Sequence, residues 1–532
     1  MNAETDSGTP PKQTKKQEDL LTDIQNNDTI VNHLVCATLE GVTARVIDVE
    51  ATFTKGLPGF TIVGLASNDI QESRERTKAA LLTNGFVFPP LRITINLSPT
   101  ELKKSGSHID LSIALLIALN KQSLSQDDLF VFGELGLDGR VKTSSMLFPL
   151  ILSLKEQGLI RRAIVPAEAL EHLSHISGVE FYPVETLVDA IELFRQESFE
   201  GVKASFEYDA KSVEISGVSY FYEEEYRYDF ADVKGQAIAK RAALIAAAGM
   251  HNFFMEGSPG CGKSMIAKRI GYILPPLGEE EILAIAKHQF LDGATPTFRA
   301  QRPVRSPHHT ATSASIFGGG SSSARIGEVA LADKGVIFFD EVPHFSKQVL
   351  EAMREPLQDR RVMISRVNAK IEYAADIQFI AAQNPCPCGN LLSKSKACRC
   401  TDTEIKRYRN KLSDPFLDRI DLFVVMQEVT RQDRGDITSA QMHQQVIDAF
   451  IRQKERSQPN LNGKLTEDEI EQFCILADEA QEILDNAIQR FALSHRSIAS
   501  IKKVARTIAD LAFHEQIEKS DVLEALSYRR RK

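Results

Sequence analysis

The pattern of apolar and polar positions divides the chain into a polar leader, two stretches dense in short apolar runs, and a helical C-terminal stretch. Residues 1–28 mix lysines with acids and lack the apolar segment of an export signal, which predicts a disordered tail. From 29 to 195 strand-like and helix-like periods alternate, as in an independent α/β domain. Ala44–Ala51 alternates as a half-buried strand, and Gly56–Gly59 turns into a second strand at Phe60–Val63. Asn68–Asn84 has helical spacing, with Asn68 as cap and Gly85 as stop. Arg92–Leu97, Phe130–Leu135 and Ala163–Pro166 read as further strands, and Asp110–Leu119 as an apolar helix. Residues 196–228 carry no clear period and contain the acidic, aromatic run Tyr220–Tyr228, which predicts a solvated linker. A second α/β stretch, 229–426, opens with the alanine-rich helix Gln236–Ala248, which Gly249 can end. Residues 427–532 read as a helical lid.

Within the second stretch two apolar runs end in chemistry. Asn252–Met255 reads as a strand and Met265–Tyr272 as a helix, and between them lies Gly257-Ser258-Pro259-Gly260-Cys261-Gly262-Lys263-Ser264. This is the G-x-x-x-x-G-K-S pattern of a phosphate-binding loop. Glycines let backbone N–H groups close around phosphate oxygens at a helix N-terminus, where negative charge is favoured. Lys263 would reach the β- and γ-phosphates of ATP, and Ser264 would hold Mg²⁺. Val336–Phe339 is an unbroken apolar run, the mark of a buried parallel strand, and it ends in Asp340-Glu341. Acids at the C-terminal end of such a strand sit where ligands bind in open α/β sheets. Asp340 would support Mg²⁺, and Glu341 would polarise the attacking water.

At 532 residues the chain has room for about three domains. With 43% hydrophobic and 25% charged residues it has the composition of a globular protein. The net charge of −9 gives no global basic field, so any contact with nucleic acid has to be local. No apolar run is long enough to span a bilayer, and seven cysteines without an export signal fit a reducing, cytoplasmic setting. Cys261 inside the phosphate loop would be sensitive to oxidation if exposed, whereas Cys36 and Cys474 are isolated. Cys386, Cys388, Cys398 and Cys400 fall within fifteen residues, which makes a tetrathiolate Zn²⁺ site geometrically available. The spacing is C-x-C rather than the commoner C-x-x-C, and four loosely packed thiols are the alternative. His308-His309 could suggest a metal, but adjacent residues on an extended strand face opposite ways.

Several longer words resemble the ComM/YifB family of magnesium-chelatase-like ATPases. They are "GLPGFTIVGLASNDIQESRERTKAALLTNGFVFPP", "RITINLSPTELKKSGSHIDLSIAL" and "GELGLDGRVK" in the first domain, and "FADVKGQAIAKRAALIAAAGMHN" at the start of the second. The resemblance covers about nine-tenths of the chain. It implies a fold-class of α/β throughout: a Lon-protease-like N-terminal domain, then an AAA+ core of the helix-2-insert clade with an α-helical lid. His108 stands where a Lon-type serine nucleophile would fall, and Ser105, Ser107 and Lys142 read as structural, so proteolysis is not expected. The resemblance further implies a homo-hexameric ring acting on single-stranded or branched DNA, a helicase promoting branch migration during natural transformation. A magnesium-chelatase-type motor driving metal insertion through partner subunits is the alternative.

The clade also assigns roles. Asn384, at the end of the strand-like run Ile377–Gln383, matches sensor 1. Arg419, in the run Leu412–Leu422, matches the arginine finger, with an intrachain pair to Asp418 or Asp421 as the alternative. Arg496 matches the sensor-2 arginine that contacts the γ-phosphate, although His495 departs from the family's small residue there. Asp359–Tyr373 alternates around Asn368-Ala369 as a hairpin and corresponds to the pre-sensor-1 hairpin facing the ring's pore. Arg366 and Lys370 on it, and Arg302 and Arg305 on the insert, become candidate DNA contacts. The terminal Arg529-Arg530-Arg531-Lys532 reads as a solvated tail.

Overall fold

The structure is a computed structural model that describes residues 32–122, 125–195, 201–203, 207–319, 325–365, 370–430 and 433–530. The predicted tail at 1–28, the hairpin tip with Arg366, and Arg531-Lys532 lie outside the described residues. The chain forms two compact units, Met1–Ser205 and Phe206–Lys532.

In the first unit the predicted strands assemble into one eight-stranded mixed sheet. Its order is Val202–Lys203, Glu180–Val184, Arg162–Pro166, Ser125–Val131, Asn32–Glu40, Thr43–Thr54, Arg92–Ser98 and Gly59–Val63. The alternation read at Ala44–Ala51 is met by burial of Ala44, Ile47, Val49 and Ala51 along the strand Thr43–Thr54. The helix Asp110–Ala118 is apolar on every side and is buried from Asp110 to Ile117, as an all-round hydrophobic helix must be. Asn68 begins its helix rather than capping it; the cap position is Ser67. The helix ends where the Asn84 side chain donates to Ala80 O at 2.8 Å and to Asp138 O at 3.0 Å. Around the expected vestigial site, the Ser107 hydroxyl donates to the Glu134 carboxylate. His108 is buried with Nε2 2.8 Å from Ala37 O, and Lys142 is exposed.

The second unit is built on a five-stranded parallel sheet ordered Val304–Arg305, Val336–Phe339, Gln378–Gln383, Phe253–Gly257 and Leu422–Met426. Its inner strands are buried on both faces, which explains their continuous apolar runs. In register, Glu256 pairs with Gln383 and Phe339 with Ala381, so the C-terminal ends of three strands meet at one edge. The helices Ser439–Glu455, Asp478–Phe491, His495–Leu511 and Lys519–Ser527 share one apolar core with this sheet, through residues such as Met442, Val446, Ile501 and Ile508. The helix Ala237–Gly249 is capped by Met250 in the left-handed region, φ 54°, so Gly249 is its last residue and not its stop. A Cβ there would lie 2.3 Å from the His251 ring and 2.6 Å from Thr507 Oγ1, so glycine is required by packing.

The linker expectation is corrected over 211–226. Lys211–Ile215 and Val218–Tyr222 form an antiparallel hairpin, and Leu277–Gly278 adds a third strand. Tyr220 packs edge-on against Phe450 at 5.0 Å, and the Tyr226 hydroxyl lies 2.9 Å from His443 Nδ1. Glu223 and Glu225 are neutralised by Arg299. Tyr220, Tyr222 and Tyr226 thus pack on the lid and Phe221 on Tyr208, instead of facing water, and the acids have a partner.

Candidate functional site

The phosphate loop is shaped by glycines at points of need. Gly260 and Gly262 have φ of 80° and 100°, where a side chain is strained. A Cβ on Gly257 would sit 2.7 Å from Cys261 Sγ. Lys263 opens the helix Lys263–Ile270 and folds back over the loop. Its ammonium donates to Gly257 O at 2.7 Å, Ser258 O at 3.1 Å and Asn384 Oδ1 at 3.2 Å. Ser264 Oγ donates to Asp340 Oδ2 at 2.8 Å, so the two residues expected at a magnesium ion touch. Glu341 is exposed, with its backbone in the left-handed region at φ 52° and its N–H held by Asp340 Oδ1 at 3.0 Å. Strain of this kind concentrates at functional positions. Ser258 is buried and its hydroxyl has no partner among the described residues. An open glycine loop, an unpaired hydroxyl, a buried cation and a helix N-terminus together fit a bound polyphosphate.

Arg419 and Arg496 form a second cluster. Both donate to Gln358 Oε1, at 2.5 and 3.2 Å. They line a cleft of about 170 Å³ with Lys464 and Lys503 among its other walls. Arg419 also donates to Pro415 O at 2.5 Å, while its Nε is buried and unpartnered. Burial, then the positive charges of Arg496 and Arg354, hold the Arg419 pKa below its ordinary value. Asp421, one expected intrachain partner, is instead bonded to the Asn252 N–H at 3.1 Å and the Ser500 hydroxyl at 2.7 Å. Neither arginine hydrogen-bonds to the Lys263, Ser264, Asp340 and Asn384 group among the described residues. The six expected catalytic residues therefore fall into two groups. Gln358, which joins the arginines, carried no sequence signal.

The four cysteines do converge. Cys386, Cys388 and Cys398 sulfurs lie 3.4, 3.6 and 3.7 Å apart, and all four lie within 4.8 Å of one another. A tetrahedron with Zn–S bonds of about 2.3 Å has edges of about 3.8 Å, so the donor set and its spacing suit zinc. The cysteine loop leans on the phosphate loop: a Cβ on Gly389 would be 2.6 Å from the Pro259 ring. Directly after Cys400, Thr401 caps the helix Asp402–Arg409 in a capping box with Glu404.

Other expectations are corrected. Arg302 is 4% exposed and bonded to Pro275 O, Pro276 O, Lys334 O and the Glu281 carboxylate, so it is not free to meet DNA. Arg305 is engaged by both oxygens of Glu328, at 2.6 and 3.0 Å. His308 and His309 do not face opposite ways, because the chain turns here; their rings lie 4.2 Å apart. Cys261 is buried and desolvation raises its pKa, so its thiol is protected rather than reactive. Arg529 bonds to Ser497 Oγ and Arg530 to Asp414, tying down the tail's start. Lys370 is exposed on the hairpin Arg361–Ser365/Lys370–Ala374.

Comparison with known proteins places these sites in a family context. Residues 229–434 match the family model of magnesium chelatase, subunit ChlI; residues 49–169 match subunit ChlI of Mg-chelatase; and residues 436–529 match the ChlI C-terminal model. The chain is 37% identical over 504 residues to the competence protein ComM of Haemophilus influenzae, covering 92% of this chain and 95% of that one. It is 36% identical over 502 residues to the uncharacterised protein YifB of Salmonella typhimurium, and 37% identical over 502 residues to that of Escherichia coli, with the same coverage.

Proposed function

The chain belongs to the ComM/YifB-like AAA+ ATPases of the magnesium-chelatase superfamily, and on that premise we propose that it is a hexameric DNA motor that promotes branch migration in natural transformation and homologous recombination. ATP hydrolysis is the activity of the family. Lys263 holds the β- and γ-phosphates, Ser264 and Asp340 hold Mg²⁺, Glu341 orients the attacking water, and Asn384 positions it beside the γ-phosphate. Arg419 and Arg496 reach the γ-phosphate of the neighbouring subunit. The observation that carries the ring is the separation of the two groups. One cluster is built for a polyphosphate, and the other gathers cations around Gln358, with no hydrogen bond or ion pair from either arginine to a carboxylate among the described residues. A second copy, whose arginines meet this chain's phosphate loop, pairs them in this reading.

The DNA reading draws on the competence protein among the relatives. It assigns domains at 29–195, 229–426 and 427–532, the first with a Lon-protease-like fold that does not cleave peptides. The engaged Ser107, the buried His108 and the exposed Lys142 support the absence of a serine–lysine dyad. A cytoplasmic setting accords with the described residues, none of whose helices is long and apolar enough to cross a membrane.

Single-stranded or branched DNA is expected to stimulate ATP hydrolysis, and binding is expected to weaken steeply with salt as phosphate contacts release counterions. ATPase activity indifferent to every DNA structure, with no binding at low salt, would overturn the DNA reading. It would favour a chelatase-type motor, in keeping with the magnesium-chelatase subunit that names all three matching family models.

Cys386, Cys388, Cys398 and Cys400 hold structural zinc in this reading. Elemental analysis of protein kept in reducing buffer is expected to find about one zinc per chain. Its removal is expected to depress ATPase activity, because the cysteine loop buttresses Pro259 and follows Asn384 directly. Protein that is fully active and free of metal would overturn the assignment.

A further inference from the structure

The helix after the cysteine cluster forms one wall of a groove that no role above uses. Pro343–Phe345 and Lys347 form the other wall, and the space between them is about 720 Å³. Lys347, Lys406, Arg407 and Lys411 line it together with His344 and Asn410. All four cations are exposed, and among the described residues none has a carboxylate within 4 Å. Glu351 feels Lys347 weakly, and Asp402 and Glu404 sit in the first turn of the helix that carries Lys406 and Arg407. In contrast, Arg409 on the same helix is paired with Glu256 at 3.4 Å, and Arg302 and Arg305 on the insert are paired with Glu281 and Glu328. An unpaired set of four cations on one groove is conspicuous in a chain of net charge −9.

The groove also carries rings. His344 is exposed between His309, at 5.8 Å, and Tyr408, at 6.3 Å. Cations that follow a backbone beside a ring that can stack a base are the makings of a single-strand binding site. We propose that this groove binds single-stranded nucleic acid, with phosphates on Lys406, Arg407 and Lys411 and a base against His344. The proposal rests on the DNA reading and assigns the strand a contact away from the insert arginines.

The position gives such a contact access to hydrolysis. The His344 wall begins two residues after Glu341. On the opposite wall Tyr408 is buried, its phenol lying against the Asn384 backbone and near Glu341, and burial pushes its pKa up to about 12. A strand in the groove therefore presses on the segments that carry both the water-orienting acid and the sensor asparagine.

The test uses the full-length protein and a fluorescent oligothymidylate. The triple variant Lys406→Gln, Arg407→Gln, Lys411→Gln removes three phosphate contacts. It is expected to bind about a hundredfold more weakly at 0.1 M salt, with a log–log salt slope shallower by about 2. His344→Ala is expected to lose about tenfold in affinity with the slope unchanged, since stacking releases no counterions. An unaltered thermal unfolding transition in both variants keeps the comparison on binding. Wild-type protein that binds the strand, beside a triple variant with the same affinity and slope, overturns the groove and leaves the DNA reading standing. Wild-type protein that binds no DNA at low salt overturns the DNA reading and the groove with it.

Discussion

Glu341→Gln is expected to keep ATP binding and to lose turnover by about 10²- to 10⁴-fold, the usual worth of a positioned general base. The side chain stands at the open edge of the parallel sheet, one residue past Asp340, on a backbone held at φ 52°. Asp340 Oδ1 accepts the Glu341 N–H, so the strained turn does not depend on the glutamate carboxylate. Glutamine preserves that turn, the side-chain volume and one acceptor oxygen, and removes only the group that takes a proton from water. Lys263→Ala acts on an earlier step. Its ammonium satisfies Gly257 O, Ser258 O and Asn384 Oδ1 at once, and it is the buried cation nearest the expected phosphates. That variant is expected to lose nucleotide affinity itself. Equilibrium binding of a fluorescent ATP analogue, alongside steady-state phosphate release, separates the two effects. A Glu341→Gln enzyme that hydrolyses ATP at the wild-type rate would show that the acid pair has been misread.

That prediction rests on residues that were legible in the sequence, for a physical reason. A phosphate loop is local: strand, glycine turn and helix N-terminus lie within twenty residues and need no distant partner to be recognised. The acid pair and Asn384 each end an apolar run, and parallel strands bring such ends to one edge. The four cysteines were legible as a cluster because their chemistry is short-range, although the C-x-C spacing alone could not decide between zinc and free thiols. What failed were statements about partners far along the chain. Arg302 looks like a free cation in a polar insert until Glu281 and three backbone carbonyls enclose it. Tyr220 and Tyr226 look like solvated linker residues until the lid returns, more than two hundred residues later, with Phe450 and His443. The strand Leu422–Met426 was hidden behind the arginine motif that precedes it, and its place beside Phe253–Gly257 is a matter of sheet order, not of local period. Lys406, Arg407 and Lys411 drew no expectation from the sequence, since a short basic run is ordinarily a solvated face. Only the opposing wall, with His344 and Lys347, makes a groove of it.

Arg419→Ala and Arg496→Ala are each expected to abolish most ATP hydrolysis, with a loss of about 10³-fold or more for the finger, and to be rescued by a chain that is itself inactive. The two guanidiniums converge on the single oxygen of Gln358, and Arg496 and Arg354 together disfavour the charge of Arg419. Like charges gathered in this way, with Arg419 Nε buried and unpaired, are costly unless an anion arrives to meet them. Neither arginine makes an ion pair within its own chain among the described residues: Asp421 is committed to the Asn252 N–H and to Ser500, and Asp359 and Asp418 act on Arg419 only as weaker charges. The γ-phosphate held by a neighbour's Lys263 supplies the anion in a ring. A Lys263→Ala chain has intact arginines and no nucleotide site, and an Arg419→Ala chain has the reverse. Co-expressed in equal amounts, they form an intact composite site at about a quarter of the interfaces of a head-to-tail ring. ATPase activity in the co-purified mixture should therefore exceed that of either variant alone by orders of magnitude. Arg496→Ala should complement Lys263→Ala in the same way, since its side chain shares the cleft with Arg419. A mixture as inactive as its components would mean that both arginines serve the nucleotide of their own subunit. The separation of the two clusters would then have to close by a movement of the lid within one chain.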